Sequence, residues 1–204
     1  EKNKKQPPRH LGVIQKFVDL ALEGKTFESR PELLMQQIFA KIGVEPSGNE
    51  GLYGDTKKLD ISGDGTCINT GASNFGNKVC DCIKSGIYNC DCARKFSDSH
   101  ARWGWDSYHG QWFYGHTEYI LSVYNKDLKS DLPLYLRMVQ AQRFDGISAV
   151  IALAEARKLY PDFNFASFVG DGAHDNYATY QLLHEWSMKA FIPLNETNKG
   201  NFKY

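Results

Sequence analysis

Two short apolar runs, Leu59-Asp-Ile-Ser62 and Phe165-Ala-Ser-Phe-Val169, each lead into a Gly-Asp-Gly tripeptide, centred on Asp64 and Asp171. Glycine on both sides of a carboxylate presents it at a strand end with no neighbouring side chain crowding it. Two such carboxylates on adjacent strands are able to share metal ions. A pair of Mg²⁺ ions roughly 3.5–4 Å apart serves in-line displacement at a phosphodiester, one ion activating the incoming oxygen and the other stabilising the leaving one. The pattern therefore points to the cutting or joining of nucleic acid.

The rest of the chain reads as an α/β arrangement around those runs. Leu11, Ile14, Phe17, Val18 and Ala21 recur at helical spacing. Ser29-Arg-Pro-Glu32 is a capping-box pattern, after which Leu34, Ile38 and Ile42 continue one apolar face to Gly43. Two amphipathic helices and a Gly- and Pro-bearing connector over 44–57 thus make an N-terminal segment, 1–57. A core over 58–204 follows, with strands expected at 58–70, 112–124, 132–140, 165–169 and 189–194. Asp145 is positioned to cap a helix ending before Pro161, and Asp175 to cap another reaching about Trp186. The order β-β-β-α-β-α-β describes a mixed sheet with helices packed on it, interrupted by an irregular insert at about 71–111.

With 42% hydrophobic residues in 204, the chain can bury one sizeable core. Its 24 basic and 24 acidic residues cancel, which excludes a strongly basic nucleic-acid-binding module but leaves a catalytic domain that borrows affinity elsewhere. No apolar run approaches the ~20 residues of a membrane span, and no secretory signal is visible, so a soluble, cytoplasmic protein is expected. The polar lead-in Glu1–His10 begins without methionine, as a fragment would.

Each candidate has a plainer reading beside it. Asp64-Gly65 is also a hairpin-turn signal, and Asp60-Ile-Ser62-Gly-Asp64-Gly65 copies the opening of a calcium loop, although its twelfth position is Gly71 rather than glutamate. Asp60 shares the strand face of Asp64 by period-two alternation and stands in reserve. Asp171 is alternatively a strand-to-helix turn residue. In the insert, Cys80, Cys82, Cys90 and Cys92 form two Cys-x-Cys pairs with Cys67 left over. They are open to a structural Zn²⁺ site, to reduced thiols or to disulfides. The aromatic run Trp103–Tyr114 fits either base stacking or ordinary packing. His109 and His116 are open to metal ligation or phosphate contact, beside the plainer reading of hydrogen-bonded structural residues, and Arg137, Arg143 and Lys189 to phosphate contact, beside that of a solvated face.

Several segments, taken in order, resemble one family. They are Gly63-Asp-Gly-Thr66, Tyr114-Gly-His116, Leu132-Pro-Leu134, Ala141-Gln-Arg-Phe-Asp145, Val169-Gly-Asp-Gly-Ala-His-Asp175 and, after Leu182-Leu183, Phe191-Ile-Pro-Leu194. From about residue 58 to 195 the chain resembles the ribonuclease H-like catalytic core of DDE transposases from bacterial insertion sequences. The resemblance implies that Asp64 and Asp171 are the first two acids of a triad holding Mg²⁺ or Mn²⁺. It further implies strand cleavage and transfer at transposon ends, with DNA as partner and an oligomer assembled on it. The family often has an aromatic residue where His174 stands and Tyr-Lys where His116-Thr117 stand. Its third acid, a glutamate on a helix after the fifth strand, is expected beyond Tyr204, since Glu196 lies too close to that strand. On this reading the fragment is inactive by itself. The alternatives are a metal-dependent nuclease on the same fold, or a non-catalytic, zinc-stabilised remnant that binds DNA or protein.

Overall fold

The computed structural model describes residues 31–195, and the helix expected over 11–21 and Glu196 lie outside them. The described residues divide into two compact units, one comprising 31–64, 119–137 and 145–195, the other 65–118 and 138–144.

The first unit is a mixed α/β layer structure. Its sheet is built on residues 59–64 of β1 (Leu59–Asn69), 119–125 of β5 (Gln111–Asn125) and 130–137 of β6 (Ser130–Gln140), with β7 (Phe165–Val169) and β8 (Lys189–Phe191), in the order β6-β5-β1-β7-β8. β7 pairs in parallel with both β1 and β8. In β5 every second residue from Phe113 to Asn125 is buried, the alternation of a strand with one face on the core. Onto that face pack Ala149, Ala152, Leu153 and Ala156 of helix α3 (Asp145–Leu159), whose small side chains bring the helix close to Leu121, Leu134 and Phe165. Tyr160 ends the helix before Pro161 and donates its buried hydroxyl to the Leu134 carbonyl at 3.0 Å. Helix α4 (Tyr177–Glu185) adds Leu183 to the same core.

Helix α1 (Pro31–Phe39) does not stop at Gly43. It passes through a π-turn at Ala40–Val44 into α2 (Glu45–Asn49), so helix occupies the start of the expected connector. The wider turn changes which residues face the core. Leu34 and Ile38 are buried as expected, but Ala40 and Val44 follow them inward and Ile42 is left 63% exposed. Helix α4 is likewise capped by Asn176, whose side chain accepts from the Thr179 N–H at 2.9 Å, and not by Asp175. Asp175 instead accepts from the Tyr180 hydroxyl and the Asn195 N–H.

The second unit holds the two-residue strands β2 (Asn77–Lys78) and β3 (Arg94–Lys95), which pair with each other, and β4 (Arg102–Asp106), which pairs antiparallel with Gln111–Gly115 of β5. At Gly115 an added Cβ would lie 2.0 Å from the Ile68 carbonyl oxygen, so only glycine allows that approach of two backbones.

Candidate active site

Asp64 lies in the middle of the eleven-residue β1, not at a strand end. The backbone there is continuous strand, which removes both the hairpin-turn and the calcium-loop readings of Asp60–Gly65. The parallel register of β1 on β7 runs Asp60↔Ser167, Ile61↔Phe168, Ser62↔Val169. The pairing ends there: Asp64 continues along β1, while Asp171 lies two residues past the end of β7, at the cap of a 3₁₀ turn. Both carboxylates are exposed, and alternation places Asp64 on the face of Asp60 and Ser62, opposite buried Ile61 and Gly63. Asp60 is occupied, accepting from the Ser167 hydroxyl at 2.6 Å.

Beneath the two aspartates is a buried polar pair that sequence reasoning missed. His174, fully buried, stands 2.7 Å through Nδ1 from Asp171 Oδ1 and 2.8 Å through Nε2 from the hydroxyl of Tyr119, also fully buried. The Ala173 N–H donates to the same Asp171 oxygen at 3.0 Å, closing a 3₁₀ turn over Gly172–His174. Phe168 packs edge-on to the His174 ring, centroids 5.4 Å apart. A Cβ on Gly63 would meet the Tyr119 oxygen at 2.4 Å and Phe168 at 2.9 Å, and one on Gly170 would meet the His174 ring and Phe168, each at 2.9 Å. The glycine preceding each aspartate therefore makes room for one half of the Tyr119–His174 pair. The repeated Gly-Asp was the one local signal that something large lay under both strands.

Asp145, at the start of α3, joins this neighbourhood electrostatically. Burial raises its pKa, and the negative charges of Asp171 and Asp64 push it further the same way, against the opposing pull of His174. The Tyr119 hydroxyl is raised first by its burial and then by Asp145, Asp64 and Asp171, so it remains protonated and available as a donor. Three carboxylates thus share one field in the first unit. They do not converge as tightly as the cysteines described next.

Cys80, Cys82, Cys90 and Cys92 are the one group among the described residues in which at least three His, Cys, Asp or Glu ligand atoms all lie within 4.8 Å of one another. The β2–β3 pairing closes the neck of their loop. Sγ of Cys80 is 3.5 Å from that of Cys90, and Sγ of Cys82 is 3.6 Å from that of Cys92, far beyond the ~2.05 Å of a disulfide. The Cys82 backbone N–H and neighbouring thiols lower Cys80 to about 7, whereas hydrogen bonding to Cys92 and the adjacent sulfurs push Cys82 up to about 12. Crowded thiols resist joint deprotonation unless a cation binds them. Cys67, on β1, is not part of the group.

The other expectations fall within the second unit or on ordinary surface. His116 Nε2 pairs with Asp98 Oδ2 at 2.8 Å and His109 Nδ1 with Asp106 Oδ2 at 2.7 Å, both as hydrogen-bonded structural histidines. In the aromatic run only Phe113 is buried. Trp103, Trp105, Tyr108 and Trp112 are exposed, with Trp105 and Trp112 edge-to-face at 5.3 Å. Arg137 is paired with Glu155 in the first unit, not displayed to solvent.

No family model matches this chain, and no curated protein matches it. Among solved structures it is similar to one described as the Mos1 transposase paired-end complex with left transposon end, at a TM-score of 0.34 and 11% identity. The match covers 94% of this chain, which spans 61% of that one. Likeness at that level carries neither fold nor function across. Among the described residues no helix is long and apolar enough to cross a membrane.

Proposed function

We propose that this chain is the ribonuclease H-like catalytic core of a DDE-type transposase, acting on DNA with Mg²⁺ or Mn²⁺ held by Asp64 and Asp171. The observation that supports the reading is that Asp64 on β1 and Asp171 just past β7, far apart in sequence, are both exposed and both act electrostatically on Tyr119 and Asp145, with β1 and β7 paired in parallel. The donor set fits the group, because exposed carboxylate oxygens are the ligands that hard divalent cations take. When bound, such ions neutralise charge at a scissile phosphate and activate an oxygen nucleophile. The chain's own contribution is to fix one carboxylate within β1 and the other at the capped turn that follows β7, with Asp145 in the same electrostatic neighbourhood. Water is the nucleophile for cleavage and a DNA 3′-hydroxyl for joining.

The four cysteines are a structural zinc site in the same proposal. Zn–S bonds near 2.3 Å in a tetrahedron put sulfurs about 3.8 Å apart, close to the 3.5 and 3.6 Å seen here. Zinc would hold a loop with little core of its own. Strand-transfer assays on oligonucleotides carrying transposon ends, run on the full-length protein beside mobility-shift titrations, test the catalytic assignment. Asp64→Asn and Asp171→Asn are expected to bring cleavage and joining to background while DNA binding persists, since neither change deletes a phosphate contact. Cleavage without joining in the unaltered protein would identify a nuclease instead. Transfer retained in either variant refutes the site.

A further inference from the structure

We propose that Tyr119 and His174 form a positioning strap that fixes the tautomer of His174 and, through it, the orientation of the Asp171 carboxylate toward a metal ion. This rests on the reading of Asp171 as a metal ligand and adds residues that the reading does not contain. The Tyr119 O–H donates to Nε2 of His174, which leaves the ring proton on Nδ1, where it is donated to Asp171 Oδ1. With the Ala173 N–H on the same atom, Oδ1 receives two donors. Oδ2 of a side chain that is 61% exposed is then the oxygen turned outward. His174 is itself wholly buried and out of reach of substrate, so it acts only through Asp171.

A plain turn cap would not require this machinery. Capping the 3₁₀ turn needs the Ala173 N–H alone, whereas the strap places two polar side chains in the core and tolerates no side chain at Gly63 or Gly170. Buried polar pairs of this kind cost desolvation unless every group is satisfied, and here each nitrogen of the ring has its partner. Histidine–carboxylate partnerships around metal sites act in this way, orienting a ligand from behind, and their loss typically weakens metal binding about 10–100-fold.

Two readouts test the strap. Long-range ¹⁵N NMR of the metal-free protein is expected to show His174 protonated at Nδ1, with Tyr119→Phe admitting the other tautomer. A titration with Mn²⁺ followed by electron paramagnetic resonance is expected to show half-saturation raised about tenfold in His174→Phe. His174→Asn, which retains a donor near the Nδ1 position, should recover most of that loss, and a purely structural histidine would not be rescued in this way. Should His174→Phe fail to fold, the nearly isosteric Tyr119→Phe takes its place with a smaller rise. Nε2 protonation in the unaltered protein overturns the strap, as does unchanged Mn²⁺ binding in these variants while Asp171→Asn binds weakly. If Asp171→Asn binds Mn²⁺ as the unaltered protein does, the metal assignment itself fails, and the strap's role at the metal falls with it.

Discussion

Replacing Gly63 by alanine tests the packing beneath the aspartates without touching any charge. The new methyl carbon would sit 2.4 Å from the Tyr119 hydroxyl oxygen and 2.9 and 3.1 Å from two ring carbons of Phe168. Carbon–carbon contacts settle near 3.5–4.0 Å, so roughly half an ångström or more must be found at each. Neither ring can swing into solvent, because Tyr119 and Phe168 are both 0% exposed. An extra methyl forced into a packed core costs typically 1–3 kcal/mol. If Tyr119 retreats to make room, His174 Nε2 loses its partner, adding about 1–3 kcal/mol for a buried group left unsatisfied. The expected destabilisation is about 2–6 kcal/mol, which at about 2–4 °C per kcal/mol lowers Tm by roughly 10 °C. Urea and thermal unfolding followed by circular dichroism measure it. Tyr119→Phe alone should cost about 1–3 kcal/mol, again for the orphaned nitrogen. Because the same hydroxyl makes the tightest clash, the double variant should be more stable than the sum of the two by about 1 kcal/mol or more. Strict additivity, or Gly63→Ala within about 0.5 kcal/mol of the unaltered protein, would refute the packing described here.

Three further outcomes are expected. Gly115→Ala should destabilise more than Gly63→Ala, since its Cβ would meet the Ile68 carbonyl at 2.0 Å and the Thr70 nitrogen at 3.0 Å, both backbone atoms, and expression yield with urea unfolding will show it. Asp98 is lowered from 3.8 to about 2, chiefly by its hydrogen bond from His116, so the stabilisation it provides is present above the unfolded carboxylate value and is lost as pH falls through about 2. Acid titrations of the unaltered protein and Asp98→Asn should therefore differ by about 1 kcal/mol near pH 5, after allowance for partial exposure, and converge at the acid end. Elemental analysis should find about one zinc per chain, lowered by Cys82→Ser and by strong chelators; a metal-free protein of unchanged stability would leave the four thiols without that role.

Much of the element order was legible because it rests on local periodicity. Asp145–Leu159 and Phe165–Val169 form as expected, and the long strand extends by one residue at each end to Gln111–Asn125. Period-two burial in β5 and small residues at helical spacing in α3 are written into those segments without reference to anything distant. The failures have non-local causes. A π-turn reset the phase after Phe39, so Ile42 lost the inward position that simple counting assigned to it. Asn176 took the cap of α4 because Asp175 was drawn to Tyr180 and Asn195. The short strand β4 and the hairpin closing the cysteine loop carry too few residues for any pattern to emerge.

The Gly-Asp-Gly repeats show how a true signal can carry the wrong cause. Read locally, the glycines free the backbone to present a carboxylate at a strand end. Yet Asp64 stands mid-strand, and neither Gly63 nor Gly170 is among the positive-φ glycines, so conformational freedom is not what these positions require. They require the absence of a Cβ, because Tyr119 and His174 occupy the space where one would be. Tyr119 and His174 lie 55 residues apart and neither is adjacent to its glycine, so no window of local sequence contains the contact. What the sequence records as a matched glycine is the imprint of one buried hydrogen bond on two backbones: a Cβ at Gly63 presses on Tyr119, and one at Gly170 presses on the histidine that holds Asp171.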